Sequence, residues 1–334
     1  IVGCDGARSL TRNYINSNVE DLGFREAWLV VDLILKNPEI NSSRESFHYC
    51  ELERSASSAF VGFKRKRWEF RLNPNDITEE ITKPKNVWKL LKRWIGPEDA
   101  ILERATVYTF ESLIAKQWRE SRILIAGDAA HQTPPFMGQG MCAGIRDVAN
   151  LGWKFDRIIN KNVSDNLLKT YQKERYPHVK EFIELTIQMG KIINKTKTAI
   201  VAGNATNTKD GPQSLGQLKP KLGQGFFAGN REQSGKLFPQ PRLGGDILLD
   251  ERIGNRSALI LSANFQSQLS KPTIKEIEKV DIVVIVDNTI ELNEWFQNTG
   301  SHAVLIRPDR YVTGTAASET ELKELIHLYK TGVC

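Results

Sequence analysis

The segment "LIAGDAAHQTPPFMGQGM", from Leu124 to Met141, constrains the fold more than any other part of the chain. An apolar run ends in Gly127-Asp128, two alanines follow, and a double proline leads into Gly-Gln-Gly. Open α/β sheets bind ligands beyond the carboxyl ends of their strands, where such polar, glycine-rich turns occur. The pattern therefore predicts a short buried strand over 123–126, a ligand-facing turn, and a helix after Gly140.

The residue types in this turn suit two kinds of ligand group. An ionised Asp128 carboxylate only accepts hydrogen bonds, so it suits the hydroxyls of a diol or a sugar. Ala129-Ala130 add little bulk, and Pro134-Pro135 stiffen the turn. Gly138–Gly140 bring bare N–H groups to a helix start, which attracts an anion or an electron-rich carbonyl. A flavin dinucleotide offers both groups; the alternative is an ordinary strand–turn–helix connection with Asp128 as a helix cap.

Composition limits the remaining possibilities. The chain has 334 residues, 40% of them hydrophobic and 26% charged, which is the balance of a soluble protein with several domains. No apolar run approaches the roughly 20 residues of a membrane helix, so no membrane association is expected. The four cysteines are widely separated and the five histidines show no paired spacing, which predicts a reducing, cytoplasmic location and no bound metal.

The net charge of +6 suits an anionic small molecule such as a carboxylate substrate or a phosphate-bearing cofactor. The densest basic run is "FKRKRWEFRL", residues 63–72. Its aromatic residues alternate with its arginines, which indicates a strand with one apolar face. No nucleic-acid recognition motif accompanies the run, so no nucleic-acid partner is expected.

The chain changes from an extended to a helical pattern along its length. Residues 15–118 are rich in β-branched and aromatic residues, and a single helix over 85–96 interrupts them before the Gly96-Pro97 stop signal. After residue 140, apolar residues recur at spacings of three and four, which predicts a long helix with one apolar stripe. The stripe consists of Met141, Ile145, Val148, Gly152, Phe155 and Ile159.

A second helix is predicted over about 166–193, with Pro177 expected to kink or divide it. After a polar connection, the carboxy-terminal part alternates the strands "ALILSA", "DIVVIVD" and "HAVLIRPD" with the helix "SETELKELIHLYKTG", which predicts a small α/β domain. In that helix Ser318 and Glu321 form a capping box. Its apolar face consists of Leu322, Leu325, Ile326 and Tyr329.

Two segments resemble motifs of one enzyme family. "RILIAGDAAHQTPPFMGQGMCAGIRDVANLGWKF" resembles the second FAD motif of the flavoprotein aromatic monooxygenases, and "IVGCDGARSLTR" resembles their Asp-Gly motif. Among the members of this family, the sequence resembles the 3-(3-hydroxyphenyl)propionate hydroxylases in particular, and the resemblance covers nearly the whole chain. It implies cofactor contacts at Asp5, Gly6, Arg8, Gly127, Asp128, Ala129, Ala130, His131, Pro135, Gly138, Gln139, Gly140 and Met141. Within this set, His131 is interpreted as a structural partner of the loop, and no residue is assigned as catalytic acid or base.

The resemblance implies an α/β (α+β) fold: a partial FAD-binding Rossmann-like domain, an inserted mixed β-sheet substrate domain, and a thioredoxin-like domain. The implied ranges are FAD-domain strand and Asp-Gly motif 1–14, substrate domain 15–118, FAD domain 119–196, linker 197–244 and thioredoxin-like domain 245–334. The last domain lacks CxxC, which excludes thiol–disulfide catalysis and favours a structural or dimer-stabilising role.

The implied activity is hydroxylation of a phenolic ring, such as that of 3-(3-hydroxyphenyl)propionate, with FAD, NAD(P)H and dioxygen through a flavin C4a-hydroperoxide. Two alternatives remain: an FAD monooxygenase of another substrate class, such as a polyketide or an antibiotic, and a non-catalytic truncated remnant. Two departures bear on the choice. The family's GxGxxG unit is absent, so an additional amino-terminal segment is expected, and Cys142 stands where many relatives have Asn. Cys142 is interpreted as a small buried apolar residue.

Overall fold

A computed structural model of the chain describes residues 1–41, 45–51, 53–195, 200–201, 220–228 and 232–331. The chain forms two compact units. The first comprises Ile1–Met141 and Phe182–Leu218, and the second comprises Cys142–Glu181 and Lys219–Cys334. Half of the predicted linker, 197–244, lies outside the described residues, and its described part from 220 onward belongs to the second unit. The domain boundaries taken from the sequence stay predictions.

The first unit contains a small and a large sheet. Its strands are β1 (Val2–Gly3), β2 (Val19–Leu35), β3 (Phe47–Tyr49), β4 (Ala56–Phe60), β5 (Arg65–Arg71), β6 (Ala100–Ala115), β7 (Arg119–Glu120), β8 (Ile123–Ile125), β9 (His131–Gln132) and β10 (Ile200–Val201). The small sheet has the order β1-β8-β7, and the large one has the order β10-β3-β4-β5-β2-β6-β9. Short helices α1 (Leu10–Tyr14), α2 (Thr78–Ile81) and α3 (Pro84–Leu91) accompany them.

One face of the large sheet is the core of the first unit. Alternate residues of β2 and β5, including Leu29, Val31 and Trp68, are at most 2% exposed. They pack against Val87 and Leu91 of α3. The basic run 63–72 therefore supplies β5, and the predicted strand with one apolar face is confirmed.

Helix α3 ends at Leu91, earlier than the predicted end at the Gly96-Pro97 stop signal. After Leu91 the chain turns, with the N–H groups of Trp94 and Ile95 both donating to the Leu91 carbonyl. This turn places the Trp94 ring 4.4 Å from the ring of Trp68. The end of the helix thus coincides with an aromatic contact that periodicity does not reveal.

Two long helices, α4 (Gln139–Lys161) and α5 (Lys169–Lys195), each contribute residues to both units. Pro177 lies inside α5 and does not divide it, contrary to one expectation from the sequence. A proline removes one helical N–H group. The carbonyl that this removal affects is that of Lys173, four residues earlier, and in the second unit the Gly223 N–H donates to the next carbonyl, that of Glu174, at 2.9 Å.

The rest of the second unit is a four-stranded sheet with helices. Its elements are β11 (Arg242–Leu243), β12 (Ile247–Leu248), α6 (Leu249–Ile253), β13 (Ala258–Leu261), α7 (Ala263–Gln268), α8 (Lys271–Glu278), β14 (Val283–Val286), α9 (Ile290–Thr299), β15 (Ala303–Ile306), β16 (Val312–Ala316) and α10 (Glu319–Thr331). The sheet order is β14-β13-β15-β16, with β13 parallel to β14 and the other pairs antiparallel. Apolar clusters cover both faces of this sheet. The predicted small α/β domain is confirmed, although β16 was missed.

Helix α10 agrees with its sequence pattern. Leu322, Leu325 and Ile326 are at most 3% exposed and pack against the sheet. The backbone N–H of Glu321 donates to the Ser318 hydroxyl, as expected for a capping box. The Glu321 carboxylate reaches one residue further back and accepts from the N–H of Ala317 at 2.7 Å.

Helix α4 is confirmed, but its apolar stripe faces solvent. Met141, Ile145, Val148 and Ile159 are 76%, 60%, 55% and 71% exposed. The buried side of α4 carries Leu151 and Trp153 together with several polar and charged residues. These include Asp147, Asn150, Lys154 and Arg157, none of which is more than 9% exposed.

Candidate cofactor site

The two sequence motifs meet at one edge of the small sheet. Strand β1 pairs in parallel with β8, with Val2 opposite Leu124 and Gly3 opposite Ile125. The carboxyl ends of both strands therefore lie side by side, where α/β sheets bind ligands. The Asp-Gly motif follows one strand and the Gly-Asp motif follows the other. The structure thus brings together two segments that are more than 100 residues apart in the sequence.

Asp128 is the exposed residue of the Gly-Asp turn. Gly127 adopts φ 61°, and residues Gly127–Ala129 form a single 3-10 turn. Ala129 and Ala130 are buried beneath it. Neither a hydrogen bond nor an ion pair engages the Asp128 side chain among the residues that the structure describes, and no side chain caps the turn. This geometry does not support the helix-cap alternative and leaves the carboxylate available to a ligand.

Asp5 orders the Asp-Gly turn. Its carboxylate accepts hydrogen bonds from the Ser9 hydroxyl at 2.5 Å and from the N–H and hydroxyl of Thr11, both at 2.9 Å. These hydrogen bonds, chiefly the one from Ser9, lower the pKa of Asp5 to about 2. Because both of its oxygens already have donors, Asp5 joins the turn to α1. Its cofactor contact stays a prediction.

The neighbouring cation, Arg8, is exposed, and no described residue forms a hydrogen bond or ion pair with it. Arg12, which sequence reasoning missed, joins the two motifs directly. Its guanidinium donates to the carbonyl of Ala129 at 3.0 Å and to the carbonyl of Ala7 at 2.7 Å. The signal was present as a second arginine in "DGARSLTR", but its acceptor lies 117 residues away. Arg12 fixes the spacing between the motifs and leaves Arg8 available to an anion.

The start of α4 is an open backbone surface. Gly138 adopts φ 61°, a conformation that favours glycine, and added Cβ atoms at Gly138 and Gly140 would meet nothing within 4 Å. The first N–H groups of a helix have no acceptor within the helix. Met141 beside them is 76% exposed, and the Gln139 amide donates back to the Met137 carbonyl at 3.2 Å. A flat, electron-rich group can therefore approach this backbone closely.

His131 lies inside the unit rather than on that surface. It is 1% exposed, and its ring is 5.4 Å from the ring of Trp118. Its backbone pairs with Ile114 of β6. This placement agrees with its interpretation as a structural partner of the loop. Cys142 is half-buried rather than fully buried, because it lies in the first turn of α4 beside the open glycines.

Phe136 fastens the double-proline loop to the large sheet. Its ring is 5.6 Å from Phe24 and 5.5 Å from Trp28, edge to face in both cases. On its other side α5 approaches so closely that a Cβ at Gly190 would lie 2.6 Å from the Phe136 ring. Sequence reasoning assigned no role to Phe136 or Gly190, because their partners are distant in the chain. Together these contacts hold the double-proline loop between the large sheet and α5.

The face of the large sheet opposite the core carries a row of polar residues. The strand registers place His48, Ser57 and Glu69 next to one another, followed by Val30 and Thr106. The Ser57 hydroxyl is 2.7 Å from His48 Nδ1. Burial lowers the pKa of His48, and a hydrogen bond to the Phe136 backbone partly opposes this. Burial also raises the pKa of Glu69. A neutral imidazole therefore links this row to the double-proline loop.

Two residues beyond Val30 on the same face of β2, two arginines hold Asp32. Arg67 donates to both Asp32 carboxylate oxygens at 2.7 and 3.1 Å, and Arg104 donates to one of them at 2.6 and 3.0 Å. Burial would raise the pKa of Asp32, but these hydrogen bonds outweigh it and lower the pKa. The paired charges bound the polar row on one side.

Neither a metal cluster nor a membrane-crossing helix occurs in the described part of the chain. No three His, Cys, Asp or Glu residues lie close enough there to hold a metal ion. No helix there is both long and apolar enough to cross a membrane.

Comparison with known families gives two matches. Residues 1–186 match a family model described as an FAD binding domain, and residues 262–331 match one described as the HcaD C-terminal domain. The first match includes both sequence motifs. The second falls within the predicted carboxy-terminal domain. These matches confirm the family that the motifs predicted.

Curated relatives give the same result. The chain is 33% identical to a probable NADH-specific resorcinol 4-hydroxylase of Rhodococcus jostii, over 98% of this chain and 65% of that protein. It is 30% and 31% identical to 3-(3-hydroxy-phenyl)propionate/3-hydroxycinnamic acid hydroxylases of Mycolicibacterium gilvum and Escherichia coli O157:H7, over 96% and 97% of this chain. The chain spans only 63% and 66% of the length of those two relatives.

Solved structures confirm the predicted fold class. The chain superimposes on aklavinone-11 hydroxylase, solved with FAD and aklavinone, with a TM-score of 0.77 at 19% identity, over 99% of this chain and 67% of that one. It superimposes on the flavin-dependent monooxygenase PieE with a TM-score of 0.77 at 16% identity, over 98% of this chain and 69% of that one. At these identities the likeness concerns the fold alone.

Proposed function

The chain belongs to the family of FAD-dependent aromatic monooxygenases, and from this membership we propose that the complete gene product hydroxylates a small phenol with FAD, NAD(P)H and dioxygen. The observation that carries the proposal is the exposed Asp128 carboxylate of the Gly-Asp turn, which has no partner among the described residues. An ionised carboxylate without a partner suits ligand hydroxyls.

The residues present fit a flavin dinucleotide. We assign Asp128 to hydroxyl groups of the cofactor, Arg8 to its phosphate charge, and the open backbone of Gly138–Met141 to its electron-rich ring edge. The absence of any atom within 4 Å of a Cβ at Gly138 or Gly140 supports the last assignment. When bound, the flavin supplies hydride acceptance from NAD(P)H and activation of dioxygen for insertion into the ring.

The polar row on the large sheet is our candidate for the phenol hydroxyl. The Phe136 backbone raises the pKa of His48, which is the effect of an imidazole N–H that donates to a carbonyl. The other nitrogen, Nδ1, then accepts from the Ser57 hydroxyl. A phenol that donates to Ser57 Oγ can pass its proton to Ser57 while Ser57 passes its own to His48 Nδ1. The phenolate left behind is a better nucleophile.

The names of the relatives suggest resorcinol and 3-(3-hydroxyphenyl)propionate as first substrates. Substrate-dependent NADH and NADPH oxidation should be measured with each phenol, together with the hydroxylated product. The proposal expects one phenol to accelerate oxidation and to be hydroxylated. Acceleration without product, or no acceleration by either phenol, contradicts the proposed substrate class.

Asp128→Ala tests the cofactor assignment separately. Loss of a charge-assisted hydrogen bond of about 1.5–3 kcal/mol should weaken FAD binding roughly ten- to a hundredfold. The apoprotein should melt at an unchanged temperature, since Asp128 holds no described partner. Glu294→Ala, which removes an exposed carboxylate of α9, is the matched control. Unchanged FAD affinity in Asp128→Ala would contradict the assignment.

His48→Gln tests the polar row. General-base assistance contributes on the order of 10²–10⁴ in rate, so phenol turnover should fall by about 10² or more while FAD affinity is retained. His327→Gln changes an exposed histidine of α10 and should leave turnover unchanged. Full turnover in His48→Gln would show that the row holds no catalytic proton.

A further inference from the structure

A separate cleft lies within the second unit, between α4 and the carboxy-terminal sheet domain. It has a volume of about 840 Å³. Residues of α4, of the turn before β13, of the connection from α8 to β14, and of the end of α10 form its walls. None of the residues assigned above to the cofactor or to the phenol lines it. Ligand pockets typically have volumes of roughly 300–1,000 Å³, so the cleft is large enough for a small molecule.

The charge of the cleft is strongly unbalanced. Five cations line it, Arg157, Lys161, Arg256, Lys279 and Lys330, against two carboxylates, Asp156 and Asp281. Asp281 pairs with Lys161 at 2.6 Å, and Asp156 accepts from the Asn160 amide at 2.7 Å. Among the described residues, this leaves Arg256, Lys279 and Lys330 without a contacting carboxylate. A concave surface lined by one sign of charge concentrates counter-ions.

Arg157 gives the cleft a fixed, buried cation. It is 9% exposed, and its guanidinium lies 4.1 Å from the centre of the Tyr329 ring and donates to the Tyr329 carbonyl. Its Nε–H has no hydrogen-bond partner in the part of the chain that the structure describes. Buried donors are rarely left without an acceptor, and a held guanidinium favours oxygen anions.

We propose that this cleft binds a small phosphate-bearing anion. Three unpaired cations around a buried arginine suit a ligand with more than one negative charge, and phosphate groups supply several acceptor oxygens in a small volume. Tyr329, which also lines the cleft, is half-buried and offers a ring against which a base can pack. The phosphate can therefore belong to an inorganic diphosphate or to a nucleoside diphosphate, and the two sources differ in whether they use this ring.

Calorimetric titration of the 334-residue chain with inorganic diphosphate and, separately, with ADP tests the site. Saturable binding is expected for at least one of them. The double variant Lys279→Ala/Lys330→Ala should bind about tenfold more weakly or worse, because each lysine adds a charge-assisted contact. Lys89→Ala/Lys92→Ala removes the same charge from exposed positions at the end of α3 and should bind as the unchanged chain does.

The two probes also show which kind of molecule supplies the phosphate. Tighter binding of ADP than of diphosphate indicates a nucleotide, and equal binding indicates that phosphate alone is recognised. The four lysines are exposed, so unchanged melting temperatures will show that both double variants fold. No saturable binding of either probe, or an equal loss of affinity in both double variants, overturns the proposal. The measurement needs neither flavin nor turnover, so its result is independent of the proposed hydroxylation.

Discussion

Helices α4 and α10 have the same kind of sequence pattern and opposite surroundings. Both carry apolar residues at spacings of three and four. In α10 these residues are the buried ones, and Leu322, Leu325 and Ile326 are at most 3% exposed. In α4, Ile145 and Val148 on the apolar stripe are 60% and 55% exposed. The pattern thus predicts the helix in both cases, but it identifies the buried face only in α10.

The buried face of α4 is held by ion pairs in addition to the apolar packing of Leu151 and Trp153. Lys154 contacts Glu174 of α5 at 2.9 Å, and Glu174 also contacts Arg307, which follows β15, at 3.0 Å. Asp147 pairs with Arg175 at 2.8 Å, and all of these side chains are at most 1% exposed. Buried charges are tolerated only when they are paired and hydrogen-bonded. The inward face of α4 therefore depends on partners 20 to more than 150 residues away.

Among the substitutions that test this comparison, removal of Glu174 should lower the stability of the chain most. Glu174→Ala leaves Lys154 and Arg307 buried without their shared carboxylate, and breaking such a pair costs about 3–5 kcal/mol. The free energy of unfolding, from urea denaturation, should fall by that amount. Glu181→Ala, which removes an exposed carboxylate from the same helix, should change it by less than about 0.5 kcal/mol. Equal effects would mean that the buried ion pairs do not hold α4.

Leu325→Ala measures the apolar counterpart in α10. Leu325 is 1% exposed in the cluster between α10 and the four-stranded sheet. Truncation of a buried leucine costs about 2–5 kcal/mol, because it removes apolar contacts and leaves a cavity. We expect a loss in the lower half of this range, measured by the same urea denaturation. A loss below about 1 kcal/mol would contradict tight packing at this position.

Acid should weaken the ion pairs at the buried face of α4 and leave the apolar packing of α10 in place. Burial would raise the pKa of Glu174, but Arg307 and Lys154 outweigh it and hold the pKa at about 2, against an ordinary value of 4.5. The unfolded chain then binds the proton more readily, so the contribution of Glu174 to stability is present above pH 4.5 and is lost as the pH falls towards 2. Melting temperatures measured across this range should fall more steeply for the unchanged chain than for Glu174→Gln. Parallel curves would contradict the low pKa.

The sequence predicted best what depends on neighbouring residues. Strand β8, the Gly-Asp turn and the start of α4 were predicted from one continuous segment, whereas the cofactor contact of Asp128 stays a prediction. Arg12 and Phe136 were missed, because the contacts that give them a role cross more than 100 residues. The buried face of α4 was missed for the same reason, since charged residues resemble a solvated face until their partners are known.

The smallest expected effect concerns the exposed stripe itself. Ile145→Ser/Val148→Ser should change the free energy of unfolding of the 334-residue chain by less than about 0.5 kcal/mol per substitution, because both residues are exposed and serine matches their helix propensity. Leu322→Ser/Leu325→Ser makes matched changes in α10 and should cost several times more, because it places hydroxyl groups in an apolar cluster. Urea denaturation and sedimentation velocity should be measured for both pairs. A large loss of unfolding free energy for the α4 pair, or a change in its sedimentation coefficient, would mean that another surface covers the apolar stripe. The two helices would then both bury their apolar residues.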